Sequence, residues 1–340
     1  MKEVHTMTTR ERFFTAISHK QPDKVPYNIL FTKVAHQKMV DFYGDAEFES
    51  RIGNCFTIID FDGFDRCQEV RKDIFVDWFG VEWDRSVDKD IGIVHNRLVI
   101  EDKLGDFNFP DPDAPELYEN ADRKIDPAED TVILGNFGFT TFERAWTLMG
   151  MEELLCLMVA NKPFVHELLD KILDYNMKVI KNACEYPIDG IRFGDDWGYQ
   201  GGVIMGAPLW REFIKPRIKT LFQYVKSKGK FVLIHCCGKI TELLPDIIEC
   251  GVDVFNPLQP EVMDVYAVKR NFGDRLSFYG GISTQRTLPF ASTEETRAEV
   301  SRLMEHIGRD GGYIVSPAHD IPADARPENI AAMIDVLRNQ

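Results

Sequence analysis

Short apolar runs alternate with amphipathic stretches along most of the chain. The apolar runs cover residues 26–31, 56–61, 132–135, 190–193, 231–235, 252–255, 276–279 and 313–316. Stretches with helical spacing lie between the later runs, for instance at 210–226, 240–250 and 293–307. Continuous apolar runs separated by helices are typical of a parallel sheet that is covered by helices. Eight such runs predict an α/β protein with a single (β/α)8 TIM barrel, although an open doubly wound sheet would produce the same pattern.

Two regions depart from this alternation. Residues 10–18 have helical spacing and precede the first apolar run, which predicts an N-terminal helical extension packed against the bottom of the barrel. Residues 73–130 are rich in Asp, Pro, Trp and Gly, which predicts short β-hairpins inserted after the second strand. Because no low-complexity linker interrupts the chain, residues 1–340 are expected to form one domain.

The composition argues against several classes of protein. A formal net charge of −15 argues against binding to DNA or RNA, because the long-range field would repel phosphate groups. No apolar run approaches the about 20 residues that span a bilayer. The polar start of the chain lacks the apolar stretch of a signal peptide, so a cytoplasmic protein is expected. Seven cysteines, an odd number, indicate reduced thiols rather than a disulfide framework.

The end of the fifth apolar run carries the clearest chemical signal. The segment 232–238 reads Val-Leu-Ile-His-Cys-Cys-Gly and places His235 two residues before Cys237. Residues i and i+2 of a strand share one face, so these two side chains can meet on one ion while Cys236 points the other way. Neutral imidazole and thiolate are preferred ligands of zinc. The pattern favours a zinc site, although a structural histidine beside a buried thiol has the same sequence.

Polar and aromatic residues that follow other apolar runs complete the set of candidates, because the active sites of parallel barrels lie at the carboxyl ends of the strands. Asp196 and Glu143 are the candidate catalytic acids, and the candidate substrate-binding residues are Phe31, Asp195, Trp197, Tyr199, Asn256 and Gln259. Adjacent residues of a strand cannot both face the pocket, so at most one of Asp195 and Asp196 is catalytic and the other caps a helix or bonds a loop amide. Glu143 begins a helix, where an acid is favoured by the dipole regardless of chemistry. Asn256 and Gln259 have an alternative role in bonding loop backbone.

Several segments of the chain resemble the uroporphyrinogen decarboxylase superfamily, and within it the branch of cobalamin-dependent methyltransferases. The resemblance rests on Thr-Arg-Glu-Arg at 9–12, Pro-Asp-Lys-Val-Pro at 22–26, His-x-Cys-Gly at 235–238, Gly-Gly-Ile-Ser at 280–283 and Pro-Glu-Asn-Ile at 327–330. Members of the superfamily are single (β/α)8 barrels, so the resemblance implies the same architecture. True decarboxylases carry an arginine-rich segment after the first strand that grips the carboxylates of a porphyrinogen. Here residues 30–36 hold no arginine, so decarboxylation of a tetrapyrrole is not expected.

The methyltransferase branch holds zinc on the His-x-Cys pair and a distant third cysteine. In this chain His319 stands at the position of that cysteine, which implies a His2Cys zinc site of His235, Cys237 and His319 with one position open. Two alternatives remain: a carboxylate of Glu143 or Asp196 completes the metal site while His319 contacts substrate, or the site holds no metal.

The resemblance also implies a reaction and a partner. A site with one thiolate is a better Lewis acid than a site with two, which favours transfer of a methyl group from a methoxylated, aromatic substrate to cobalt(I). The chain has no Asp-x-His-x-x-Gly motif for cobalamin, so a separate corrinoid protein is expected to supply it in a transient complex. The alternatives are methyl transfer from the corrinoid to a thiol, a decarboxylase-like lyase, and a non-catalytic barrel that binds a corrinoid or tetrapyrrole. A homodimer is a further expectation by analogy.

Overall fold

The main element of the fold is a curled, seven-stranded parallel sheet. The computed structural model describes residues 6–126 and 128–340. The expectation about a signal peptide concerns residues 1–5, which lie outside the described part. In chain order, which is also the spatial order, the strands are β1 (Phe56–Asp60), β2 (Val132–Phe137), β3 (Gly190–Gly194), β4 (Phe231–His235), β5 (Val254–Leu258), β6 (Ser277–Ile282) and β7 (Tyr313–Pro317). The sheet and its covering helices confirm the α/β class and form a TIM-barrel-like fold.

The sheet has seven strands within the described residues, one fewer than the sequence predicts. Residues 26–31 make two isolated parallel bridges, Tyr27 to Val315 and Phe31 to Ile321. Side-chain amides take the place of backbone hydrogen bonds that would pair this segment with its neighbours in the sheet. Residues 26–31 therefore do not form the predicted first strand. The Ile29 N–H donates to Asn54 Oδ1 at 2.8 Å, and the Phe56 N–H donates to Asn28 Oδ1 at 3.2 Å.

Helices cover the outer face of the sheet. The α-helices span Thr9–Ile17, Lys33–Tyr43, Glu119–Lys124, Phe142–Met149, Met151–Ala160, Lys162–Ala183, Ala207–Phe213, Lys215–Ser227, Leu244–Cys250, Val265–Phe272, Thr287–Phe290, Thr293–His306 and Pro327–Arg338. Short 3-10 helices span Phe48–Arg51, Phe64–Arg66, Glu101–Asp106, Pro115–Leu117 and Thr241–Leu243. The single helix predicted at 210–226 is two helices that meet at Ile214, because Pro216 has no N–H to continue the helical hydrogen bonds and lies instead in the first turn of the second helix.

The N-terminal helix lies under the barrel, as the sequence predicts. Thr8 and Glu11 form a capping box that fixes the start of this helix. Phe13 is fully buried, and its ring centroid lies 5.2 Å from that of Phe56 and 5.1 Å from that of Phe231. Phe56 and Phe231 are the first residues of β1 and β4, so the helix covers the amino ends of the strands and leaves their carboxyl ends free.

A small antiparallel sheet follows β1. Its strands are Gln68–Arg71, Ile74–Val76, Glu82–Asp84 and Ile93–Val94, paired in that order. Trp83 of this sheet is buried, and an ion pair of 3.0 Å joins Asp77 to Arg144 on the helix Phe142–Met149. The side chains of Asp77 and Arg144 are 1% and 3% exposed, so a buried ion pair connects the antiparallel sheet to the barrel. In the described part of the chain, no helix is both long and apolar enough to cross a membrane.

Candidate metal centre at the carboxyl ends of the strands

Three side chains of types that commonly serve as metal ligands meet above the carboxyl ends of β4 and β7. His235 is the last residue of β4, and the Cys237 Sγ lies 3.5 Å from the His235 Nε2. His319 follows β7, and its ring stands nearly perpendicular to that of His235 with 5.6 Å between centroids. The ligand atoms of His235, Cys237 and His319 all lie within 4.8 Å of one another. The three residues are therefore close enough to bind one ion.

The neighbouring strand fixes the orientation of His235. Asn256 pairs with His235 in the register of β4 and β5, and its Oδ1 lies 2.5 Å from the His235 Nδ1. The Asn256 Nδ2 donates to the Tyr279 carbonyl at 3.0 Å, which assigns Oδ1 as the atom that faces the imidazole. Nδ1 therefore carries the proton, and the Nε2 lone pair is free on the side of Cys237. Burial, together with the positive charge of Arg192 and the neighbouring His319, lowers the pKa of His235 to about 3, so the ring is neutral at pH 7.

The backbone beyond β4 turns sharply at Gly238. This glycine has a φ of +89°, and a Cβ atom there would lie 2.3 Å from the carbonyl carbon of Gly198. Only glycine fits both the backbone angle and the close approach. Cys236 points to the opposite side of the strand, as its position between His235 and Cys237 predicts. It is fully buried, and its Sγ accepts a hydrogen bond from the Trp197 N–H at 3.2 Å.

Two carboxyl groups lie beside the thiol of Cys237. The Asp196 Oδ1 accepts the Cys237 backbone N–H at 2.7 Å, and the Glu143 carboxylate accepts the backbone N–H of Asp196. Burial raises the pKa of both carboxyl groups, and for Glu143 the charges of Asp196 and Asp195 add to the effect. Burial also raises the pKa of the Cys237 thiol. Three acidic groups in one poorly solvated place suit a bound cation, which would offset their mutual repulsion.

Asp195 performs a structural task. It is fully buried, and its carboxylate accepts the backbone N–H groups of Thr141, Phe142 and Glu143 at 3.1, 3.0 and 2.9 Å. It also accepts the Trp197 Nε1–H at 2.5 Å. Asp195 thus caps the helix that begins at Phe142, and this cap places Glu143 beside Asp196. This arrangement agrees with the expectation that one of the adjacent acids Asp195 and Asp196 caps a helix or bonds a loop amide.

Comparison with known proteins identifies the family. A family model described as uroporphyrinogen decarboxylase (URO-D) matches residues 77–340. The chain belongs to the uroporphyrinogen decarboxylase family. This match confirms the resemblance that the sequence motifs indicate.

Proteins similar to this chain include decarboxylases and methyltransferases. The uroporphyrinogen decarboxylase of Methylococcus capsulatus is 22% identical over 184 residues, 54% of this chain and 50% of that protein. The methylcobamide:CoM methyltransferase of Methanosarcina barkeri is 26% identical over 132 residues, 38% of this chain and 36% of that protein. The chain thus spans half or less of these curated relatives. A solved methyltransferase from Methanosarcina mazei has the same fold, with a TM-score of 0.74, 17% identity and 98% of each chain covered.

The other predicted substrate-binding residues differ in solvent exposure and in their contacts. The Gln259 Oε1 accepts the Gly238 N–H at 3.2 Å, so it supports the loop that carries Cys237. Tyr199 is 58% exposed on the rim. Trp197 is fully buried against Trp210, which places it in the core. Phe31 is half-buried and its ring packs edge-on against Phe48 of a neighbouring 3-10 helix.

A small cavity next to the candidate metal centre is lined in part by residues that the sequence analysis did not select. The cavity is lined by Leu30, Arg192, His235, Asn256, Tyr279, Ser316, Pro317, His319 and Asp320. Arg192 lies in the middle of β3, and its guanidinium donates to the Asn136 Oδ1 at 2.6 Å. The available signal was a single charged residue within the apolar run Gly-Ile-Arg-Phe at 190–193. Such a charge indicates a strand face that points into a polar interior.

Proposed function

We propose that the protein is a zinc-dependent methyltransferase that moves a methyl group from a methoxylated, aromatic substrate to the cobalt(I) of a separate corrinoid protein. The observation that supports this proposal is the group of His235, Cys237 and His319, with ligand atoms within 4.8 Å of one another. Membership of a family that includes a methylcobamide:CoM methyltransferase supports methyl transfer as the reaction.

The donor set fits zinc. Nitrogen and sulfur are zinc's usual protein ligands, and three protein ligands leave a fourth position for substrate, as in catalytic sites. The neutral His235 ring has Nε2 available as a metal ligand, because Asn256 occupies Nδ1. With one thiolate and two neutral imidazoles, a bound zinc ion would keep about one positive charge and act as a Lewis acid on an ether oxygen.

The residues around the donors have separate tasks in this proposal. Asn256 holds the His235 ring, and Asp196 holds the backbone of Cys237. Transfer of the methyl group breaks its bond to the ether oxygen and forms a bond to cobalt, which supplies the electron pair. The oxygen that remains then needs a proton, and Glu143, the other buried carboxyl group beside Cys237, is the candidate donor. Tyr199, exposed on the rim, is a candidate contact for the corrinoid protein.

Metal analysis of single-residue variants tests the ligand set. We expect about one zinc per wild-type chain and loss of that zinc in His319→Ala and Cys237→Ala. Cys236→Ala is the matched control, because this adjacent thiol faces the opposite side of the strand and should leave zinc content unchanged. If His319→Ala retains zinc, His319 is not a ligand; it would then contact substrate, and Asp196 or Glu143 would be the third ligand. A wild-type protein that binds no zinc would refute the proposal.

The direction of transfer is tested separately. Wild-type protein with zinc should consume a methoxylated aromatic compound only when a corrinoid protein with cobalt(I) is present. The variants that lose zinc should not. Glu143→Gln should retain zinc and lose most of the activity, since it keeps the shape of the side chain without an acidic proton.

A second candidate function is methyl transfer from a methylated corrinoid to a thiol. The similarity to the methylcobamide:CoM methyltransferase of Methanosarcina barkeri favours it, since 26% identity extends over 132 residues. A thiolate ligand would take the open position in this case. A stoichiometric release of protons when thiol is titrated into the zinc protein would favour this direction over demethylation.

A further inference from the structure

Arg192 is a charged residue without an ionic partner in the interior of the barrel. Among the described residues, its side chain makes one hydrogen bond, to the neutral amide oxygen of Asn136. A guanidinium has five N–H donors, so most of them have no protein acceptor. None of its nitrogens is both buried and unpartnered, and the residue lines the small cavity beside His235, so the remaining donors open into that cavity.

Other interior arginines of this chain have partners. Arg144 forms an ion pair with Asp77 at 3.0 Å, and Arg217 forms one with Asp170 at 2.6 Å. Arg85 lies over the ring of Phe75, with 4.6 Å from its guanidinium carbon to the ring centroid. Keeping a guanidinium partly buried without a direct ion pair is costly, because the nearby carboxyl groups of Asp196 and Asp320 make no ion pair with it that would replace its lost hydration. An arginine in this condition beside a metal centre indicates a ligand that brings the missing anion.

We propose that Arg192 binds the carboxylate of the small substrate, so that the substrate is a methoxylated carboxylic acid and not a neutral ether. The identity of the methyl donor rests on the proposed function, whereas the anion site itself does not. Arginine binds carboxylate through two parallel hydrogen bonds, which orient the ligand as well as hold it. His235 and His319 line the same cavity, so an acid held by Arg192 would lie next to these two candidate metal ligands.

The other charges of the cavity limit the kind of anion. Asp320 lines the cavity together with Arg192, so one positive and one negative side chain face the same small space. A singly charged carboxylate gains from the guanidinium, while a ligand with several carboxylates also meets the repulsion of Asp320. The site therefore suits a small monoacid and disfavours a polycarboxylated tetrapyrrole.

Calorimetric titration of the zinc protein, without a corrinoid protein, tests this site apart from methyl transfer. The probes are 4-methoxybenzoate and its neutral counterpart 4-methoxybenzyl alcohol. A second pair, 3-mercaptopropionate and 3-mercapto-1-propanol, covers the case in which the substrate is a thiol. In the wild type, at least one acid should bind about tenfold more tightly than its neutral counterpart, as expected for a charge-assisted hydrogen bond.

Three variants assign this preference to Arg192. Arg192→Gln should lose the preference while it retains zinc, and Arg192→Lys should keep part of it, because lysine supplies the charge without the planar fork. Arg286→Gln removes the same charge from an exposed position after β6 and should retain the full preference. Preference only for the mercapto acid would support the anion site and contradict the demethylation proposal. An acid preference that survives in Arg192→Gln, or no preference in the wild type, would overturn the inference.

Discussion

Replacement of Asp195 by alanine is expected to destabilise the protein strongly, although this residue touches no candidate ligand. Its buried carboxylate accepts three backbone N–H groups at the start of the helix Phe142–Met149 and the indole N–H of Trp197. Thr141, the residue that precedes the helix, makes no side-chain hydrogen bond to cap it. Asp195→Ala therefore leaves four donors without an acceptor in a place that water does not reach.

The magnitude follows from the number of donors. An unsatisfied buried donor costs about 1–3 kcal/mol, so four of them cost about 4 kcal/mol even at the lower limit. A domain has a total stability of about 5–15 kcal/mol, so the variant should lie near the limit of folding. Asp195→Asn keeps one acceptor oxygen but turns an amide N–H₂ toward the donors on its other side, so its loss should be about half as large.

Equilibrium unfolding in urea, followed by tryptophan fluorescence, measures these losses. Asp264→Ala is the matched control, because Asp264 caps the helix Val265–Phe272 from an exposed position with bonds of 3.1 and 2.9 Å. Loss of an exposed cap costs about 1 kcal/mol. Equal losses of stability for Asp195→Ala and Asp264→Ala would refute the claim that burial of the cap sets its contribution.

Three further predictions concern the metal centre and the barrel interior. Asn256→Ala should weaken zinc binding by about 10–100-fold in a competition with a chromophoric chelator, whereas Asn256→Asp, which still accepts the His235 Nδ1–H, should not. Burial and the neighbouring Asp60 raise the pKa of Asp62 to about 7, so this group stabilises the fold at low pH and loses that contribution as the pH rises through 7. The stability of the wild type relative to Asp62→Asn should therefore fall between about pH 4 and pH 7, and a constant difference in urea midpoints would contradict the assignment. Gly238→Ala should lower both the melting temperature and the zinc content, because a Cβ atom there would lie 2.3 Å from the carbonyl carbon of Gly198. Unchanged values of both would show that the backbone can accommodate this Cβ atom without a loss of stability.

Features that depend on neighbouring positions in one strand were predictable from the sequence. The two-residue period of an extended strand placed His235 and Cys237 on one side and Cys236 on the other, and the structure has this arrangement. The carboxyl ends of successive strands lie at one end of a parallel sheet, so a search for polar residues after the apolar runs found Asp196 and Asn256 as well.

Features that depend on distant side chains were not predictable. Residues 26–31 have the composition of a strand, yet the side-chain amides of Asn28 and Asn54 take hydrogen bonds that a strand would make. Asp195 reaches a helix 52–54 positions earlier in the chain, and no local pattern indicates such a cap. The sequence analysis selected Trp197 as a candidate substrate contact, whereas its complete burial places it in the core.

The charges around the candidate site connect Arg192 electrostatically with the candidate metal ligands. The interior near the carboxyl ends of the strands holds the carboxyl groups of Asp62, Asp196 and Glu143, whose pKa values burial raises. Arg192 acts electrostatically on Asp196 and on His235, lowering both pKa values, so it favours an ionised carboxylate and a neutral imidazole at the same time. A neutral His235 ring is the form that binds metal. In the proposed function, Arg192 therefore adds to the effect of burial that keeps His235 neutral for a metal ion, and its remaining donors are open for an anionic substrate.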